Sequence, residues 1–164
     1  MIWLQQNLKV ALGVIGLAAI ALFFILSGES GPEGAINSRL DDLCELVSYE
    51  QRAPQLAQIT TTKKLSGYFT EKPYLIAWPG QAAITDQNAV SGMFMYLLKY
   101  ASEAEVSLGS RQMTLQNETS AIVTANVTAK AKVNGETERH SGRYRIELEE
   151  VDGNWLISSA QPIN

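Results

Sequence analysis

Ala121, Val123, Ala125, Val127, Ala129, Ala131 and Val133 alternate with Ser120, Ile122, Thr124, Asn126, Thr128, Lys130 and Lys132, and Asn134-Gly135 follows at once. A period of two over so many residues is that of a strand with one buried face. Asn-Gly is the pair that tolerates positive φ at both central positions of a type I′ turn, so the strand must reverse there. A two-residue loop sets Val123 opposite Ile146, Ala125 opposite Tyr144 and Ala121 opposite Leu148. The other face then pairs Thr124 with Arg145, Asn126 with Arg143 and Lys130 with Arg139. A slip by one residue would turn those charges into the core, which specifies the register.

The same logic extends the ribbon in both directions. Asp152-Gly153 predicts a second tight turn, with Leu148 opposite Ile157, Ile146 opposite Ser159 and Trp155 on the apolar face. Upstream, a three-residue turn over 117–119 pairs Met113 with Val123 and Leu115 with Ala121. Val106 and Leu108 have the opposite parity to Met113 and Leu115, which predicts a bulge near Gly109 and a bend in the sheet. The outcome is a curved four-stranded meander with one apolar side that other elements must cover.

Those elements precede it. Asn37 or Ser38 can cap a helix whose stripe is Ile36, Leu40, Leu43 and Val47, ending near Arg52. A second helix over 54–66 opens on Pro54 and carries Leu56, Ile59 and Leu65 toward Tyr68 and Phe69. A short strand over 74–78 is stopped by Pro79-Gly80. Thr85 or Asp86 caps a third helix that buries Val90, Met93, Phe94, Leu97, Leu98 and Ala101. The fold class is α+β.

Residues 10–26 form a run of 17 without a polar side chain. At about 1.5 Å per residue this spans a bilayer of roughly 30 Å only with help from Leu8 and Trp3 and some thinning. The run exceeds the apolar core usual for a cleaved signal, so an uncleaved anchor is the reading and a cleaved signal its rival. Lys9 lies on one side and Glu29 and Glu33 on the other, which places the amino terminus in the cytoplasm. The expected organisation is a transmembrane anchor over 1–27, an acidic, breaker-rich linker over 28–35, and one domain over 36–164, periplasmic in a bacterial inner membrane.

Several chemistries are excluded. With a net charge of −4 and scattered basic residues, the chain has no stripe for nucleic acid. Cys44 is the only cysteine and His140 the only histidine, which leaves no internal disulfide and no metal set. Nucleophile elbows and phosphate-cradling glycine loops are absent, and nothing calls for a cofactor.

Helix, helix, Gly67-Tyr68-Phe69-Thr70-Glu71, short strand, helix and a meander ending in Val151-Asp152-Gly153-Asn154-Trp155-Leu156-Ile157 resemble the nuclear transport factor 2-like (NTF2-like, SnoaL-like) superfamily. The resemblance covers 36–163. It implies a cone in which three helices fold over the curved antiparallel sheet, four meander strands plus the short one, and leave an apolar cavity. Its steroid isomerase branch implies a carboxylate about eight residues after the phenylalanine, and here that place falls on Ala77 or Trp78. Neither accepts a proton. One histidine rules out the paired-histidine chemistry that a scytalone dehydratase implies. The superfold hosts isomerases, dehydratases, binding modules and assembly subunits, so function rests on the site.

Tyr49, Tyr68, Phe69, Trp78, Phe94, Tyr144 and Trp155 are the candidates to line the cavity, around a small apolar ligand. Ile122, Thr124, Asn126, Arg143 and Arg145 form a lightly charged outer sheet face suited to a protein partner or to a second copy in a homodimer. Glu45 or Glu50 can graze a cavity edge, although a solvated helix face is the ordinary place for them. His140 faces Ala129 on the inward side near the hairpin end and is expected to be solvent-exposed. The function read here is a non-enzymatic, membrane-anchored module. The alternative is an isomerase or dehydratase with a displaced acid, Tyr144 acting with Glu50 or His140.

Overall fold

A computed structural model describes residues 31–163, the side chain of Cys44 excepted, so the expected anchor and the first part of the expected linker lie outside the described residues. Three helices, α1 (Pro32–Val47), α2 (Gln55–Ser66) and α3 (Gln87–Tyr100), accompany five strands. These are β1 (Phe69–Leu75), β2 (Ala101–Asn117), β3 (Ser120–Val133), β4 (Glu136–Val151) and β5 (Asn154–Ile163). They form one sheet in the order β1-β5-β4-β3-β2, antiparallel except for the β1/β5 pair. Among the described residues no helix is long and apolar enough to cross a membrane.

The central hairpin has the predicted register. Val123 faces Ile146, Ala125 faces Tyr144 and Ala121 faces Leu148, while Thr124 faces Arg145 and Asn126 faces Arg143. Asn134 and Gly135 have φ of 53° and 86°, the left-handed pair that a type I′ turn demands. Met113–Val123 and Leu115–Ala121 also pair as predicted. Their turn is tighter than expected, because Asn117 pairs with Ser120 and its Oδ1 accepts from the Thr119 amide at 2.9 Å. The predicted bulge falls between Gly109 and Gln112, where Ser110 has a φ of 30°.

One register differs. Ile146 faces Ala160, not Ser159, because the ladder shifts between Glu147 and Leu148. Ser158 is the extra residue, and its hydroxyl donates to the Glu147 carbonyl at 3.3 Å. The bulge turns Ala160 into the core in place of Ser159, which spares a buried hydroxyl.

The helices show three further differences. α1 starts at Pro32, within the expected linker, since proline presets the first helical φ and Glu33 suits the positive end of the helix. Asn37 is therefore a buried interior residue and not a cap. α1 also stops at Val47, short of Arg52, where Tyr49 leaves the helix to exchange two backbone hydrogen bonds of 2.9 Å with Ala104. On α2, Leu65 is buried, but Leu56 and Ile59 are 80% and 50% exposed. At about 100° per residue, Leu56 lies roughly 180° and Ile59 about 120° around the helix from Leu65, so one apolar stripe cannot hold all three. β1 begins at Phe69 and ends at Leu75, earlier than the expected 74–78. It is an edge strand, which accommodates Pro73 and leaves Glu71 and Lys72 in water.

α3 has the predicted cap, the Asp86 carboxylate accepting from the Asn88 amide at 2.7 Å, and buries Val90, Phe94, Leu97 and Leu98, whereas Met93 is half-buried and Ala101 falls beyond the helix as the first residue of β2. The core is one layer between Ile36, Leu40, Leu43 and Val47 of α1, Val90, Phe94, Leu97 and Leu98 of α3, and the inward side chains of the sheet.

Candidate functional site

The aromatic candidates divide into two groups. Phe69, Phe94, Tyr144 and Trp155 are buried core, while Tyr49, Tyr68 and Trp78 are half-buried. A cleft of about 440 Å³ on the helical side brings Tyr49, Tyr68 and Phe94 together. Phe69, Trp78, Tyr144 and Trp155 do not line it.

Tyr144 organises the second group. Positions 140, 142 and 144 of β4 share the inward face, and four residues of strand span about 13 Å. Gly142 lets the Tyr144 ring lean back along the strand, since a Cβ there would stand 3.0 Å from Tyr144 Cε2. The Tyr144 hydroxyl donates to the Ala77 carbonyl at 2.5 Å, so it accepts from His140 Nε2 at 2.8 Å. This requires a proton on His140 Nε2. Trp78 covers the imidazole at 5.9 Å between ring centroids. Burial pushes the Tyr144 phenol up to about 12 and pulls His140 below 6.5. His140 is thus half-buried, not the solvent-exposed hairpin residue expected, because Trp78 and the leaning Tyr144 ring close over it.

The place that the family resemblance assigns to a carboxylate is filled by the side chains of Ala77 and Trp78, and it contributes a backbone carbonyl to Tyr144 instead. Glu50 is exposed and lines a separate cleft of about 880 Å³ with Glu103, Glu105, Lys130 and Lys132, away from Tyr144 and His140. The displaced-acid pair therefore exists for His140 and not for Glu50.

The helix-side cleft holds Glu45, which the sequence allowed to graze a cavity edge, together with two charges not singled out there, Asp42 and Lys64. Asp42 and Glu45 of α1 stand on one wall and Lys64 of α2 on another, with Ser48, Gln58 and Thr61 between them. Their one signal was spacing: Asp42, Glu45 and Tyr49 recur three and four apart beside the core stripe. The Tyr68 ring carries the Arg39 guanidinium 4.0 Å from its centroid, and Arg39 also donates to the Gly67 carbonyl. Burial raises the Tyr68 phenol, with Arg39 lowering it and Asp42 raising it. Burial pushes Tyr49 up to about 12 against the lowering effect of Arg52. Arg52 in turn donates to the Ala101 carbonyl at 3.1 Å and holds the segment after α1 against β2.

On the outer sheet face Ile122 and Thr124 are half-buried and Asn126, Arg143 and Arg145 exposed. Arg145 is engaged with Glu147 of its own strand at 3.0 Å. Among the described residues no three of His, Cys, Asp and Glu gather as a metal set would.

No protein-family model matches the chain, and no curated protein matches it by sequence. Solved structures do match in fold. A scytalone dehydratase-like protein from Novosphingobium aromaticivorans aligns with a TM-score of 0.64 at 16% identity, covering 77% of this chain and 79% of its own. A calcium/calmodulin-dependent protein kinase II association domain-like protein from Xanthomonas campestris gives 0.64 at 14%, over 87% and 96%. The hexachlorocyclohexane dehydrochlorinase LinA type 2 gives 0.61 at 12%, over 79% and 82%. These likenesses support the NTF2-like fold of three helices on a five-stranded sheet.

Proposed function

We propose that this chain is a membrane-anchored, extracytoplasmic binding module that holds a small ligand in its helix-side cleft and does not turn it over. One observation carries the reading. The hydroxyl at the sheet's inner face, that of Tyr144, is committed on both sides, to Ala77 and to His140, and its residue is fully buried. A general acid must reach a proton on its substrate, and this one is sealed beneath its neighbours. The inward positions around it are Ala125, Ala129, Ile146 and Leu148, with no carboxylate.

The cleft has the size of a ligand site and a mixed lining, so its ligand combines an apolar body with a polar end. The apolar run over 10–26 supports the anchor and the periplasmic location in a bacterial inner membrane. The outer sheet face is the surface proposed for a protein partner or a second copy. The Xanthomonas campestris neighbour is named for an association domain, so the same fold also occurs in proteins described by assembly.

A second reading is favoured by the 2.8 Å contact of His140 with Tyr144 and by neighbours named for a dehydratase and a dehydrochlorinase. It makes the pair an acid–base device in an isomerase or dehydratase. Photo-crosslinking separates the two: a photoreactive residue replaces Tyr49 in one version of the full chain and Thr124 in another, and membranes are irradiated and analysed by mass spectrometry. Recurrent adducts at the Tyr49 position support the binding module. Only diffuse products at both positions overturn it.

A further inference from the structure

We infer that the outer edge of β2, over 112–116, pairs antiparallel with the same segment of a second copy of this chain. This goes beyond the binding-module reading, which needs neither a second copy nor this edge.

The two edges of the sheet differ. β1 carries Glu71, Lys72 and Pro73, and on its outer side Leu75 exchanges two backbone hydrogen bonds with Ile84, of 3.0 and 2.8 Å. Charge, proline and cover are the ordinary means of keeping an edge from pairing. β2 is covered only near its start, by Tyr49 at Ala104 and by the Ser48 hydroxyl, which accepts from the Val106 amide at 3.4 Å. Past the bulge, residues 112–116 hold no charge and no proline, and all are exposed except the half-buried Met113. Among the described residues nothing pairs with their outer side. This unguarded edge offers backbone donors and acceptors to a further strand, beside a Leu115 that is 36% exposed.

The segment is its own complement. Set antiparallel about Thr114, it places Met113 opposite Leu115 of the second copy, Gln112 opposite Gln116, and Thr114 opposite its own counterpart. Apolar meets apolar on the inward face and polar meets polar on the outer, the pairings that stabilise neighbouring strands. Arg111 of each copy comes to the end where the other carries Glu118, whereas a parallel pairing sets like charges together. The twofold axis of such a pairing stands normal to the sheet, so two five-stranded sheets join edge to edge and both α1 helices lie on the same side. Residues 27–31 separate each α1 from the apolar run, and two anchors in one bilayer require that arrangement. A pairing this short is smaller than the roughly 1,200 Å² interface that holds soluble partners together, so confinement to one membrane supplies the effective concentration.

Disulfide crosslinking of the full chain in membranes tests the register. Only position 114 meets its own counterpart, with Cβ atoms about 5 Å apart, whereas positions 112 and 116 lie about 13 Å from theirs. Under copper-phenanthroline oxidation, Thr114→Cys is expected to dimerise at least about tenfold faster than Gln112→Cys or Gln116→Cys, and the latter two chains, made together, to join each other. The parent, with Cys44 alone, sets the background. Gln112→Glu with Gln116→Glu sets like charges opposite and should slow the Thr114→Cys reaction, while Gln112→Lys with Gln116→Glu sets opposite charges together and should restore it. Both glutamines are exposed, so an unchanged melting curve shows these variants folded. Equal rates at the three positions, a faster rate at 112 or 116, no dimer above background, or a Thr114→Cys rate indifferent to the charges each overturn the pairing. The Tyr49 crosslinking judges the binding module separately.

Discussion

Tyr144 reaches His140, four residues earlier on its own strand, across the space that Gly142 leaves, and closes a relay that ends at the Ala77 carbonyl. The contact ties the hairpin end of β4 to the chain just after β1, 67 residues apart in sequence. It is a fastening between two parts of the sheet, made of the same groups that an enzyme would use for proton transfer.

Removing the hydroxyl should therefore cost stability. Tyr144→Phe leaves the Ala77 carbonyl and the His140 Nε2–H without their partner in a buried setting, and the expected loss is about 1–3 kcal/mol. Urea unfolding measures it. A variant as stable as the parent would mean that the hydroxyl fastens nothing.

Acid should loosen the domain through His140. Burial holds its folded pKa below the 6.5 of the free side chain. The unfolded chain therefore binds the proton more readily, and stability that is full above 6.5 is lost as pH falls toward the folded value. His140→Gln stays neutral and should flatten this segment of the profile. Equal slopes for parent and variant between 6.5 and the onset of carboxylate titration would remove His140 from the account.

The central turn should be costly to alter without any clash. At Gly135 φ is 86° and nothing stands within 4 Å of an added Cβ, so Gly135→Val isolates backbone strain. The expected destabilisation is roughly 1–3 kcal/mol. A urea midpoint unmoved by this change would contradict the turn geometry on which the register of β3 and β4 depends.

What could be read in advance follows from where the information sits. Asn134-Gly135 fixes a register because the turn chemistry and the alternation agree, and the pairing of Val123 with Ile146 follows from local residues alone. Ser158 could not be placed, since two adjacent serines suit either face and the shift is decided by Ala160 filling the core. The seven aromatic candidates were legible as apolar bodies. Which of them face the cleft depends on how α2 lies against α1 and α3, and no spacing encodes that. Asp42, Glu45 and Lys64 meet for the same tertiary reason, although each alone reads as an ordinary solvated helix charge. His140 was correctly placed on the inward side, but its cover comes from Trp78 and the lean of Tyr144.

The two faces of α2 give the last prediction. Leu56 and Leu65 are the same residue type on one helix, and only their angular positions differ, with 80% and 0% exposure. Leu56→Ser should shift stability by no more than about 0.5 kcal/mol, since nothing packs on an exposed side chain of this kind. Leu65→Ala removes a fully buried side chain that the neighbouring core cannot replace, and should cost about 2–5 kcal/mol. Thermal or urea melts of the two variants side by side decide the orientation of α2. Equal losses would mean that the helix is rotated so that both leucines share the interior, and the cleft walled by Lys64 and Thr61 would then lose one of its sides.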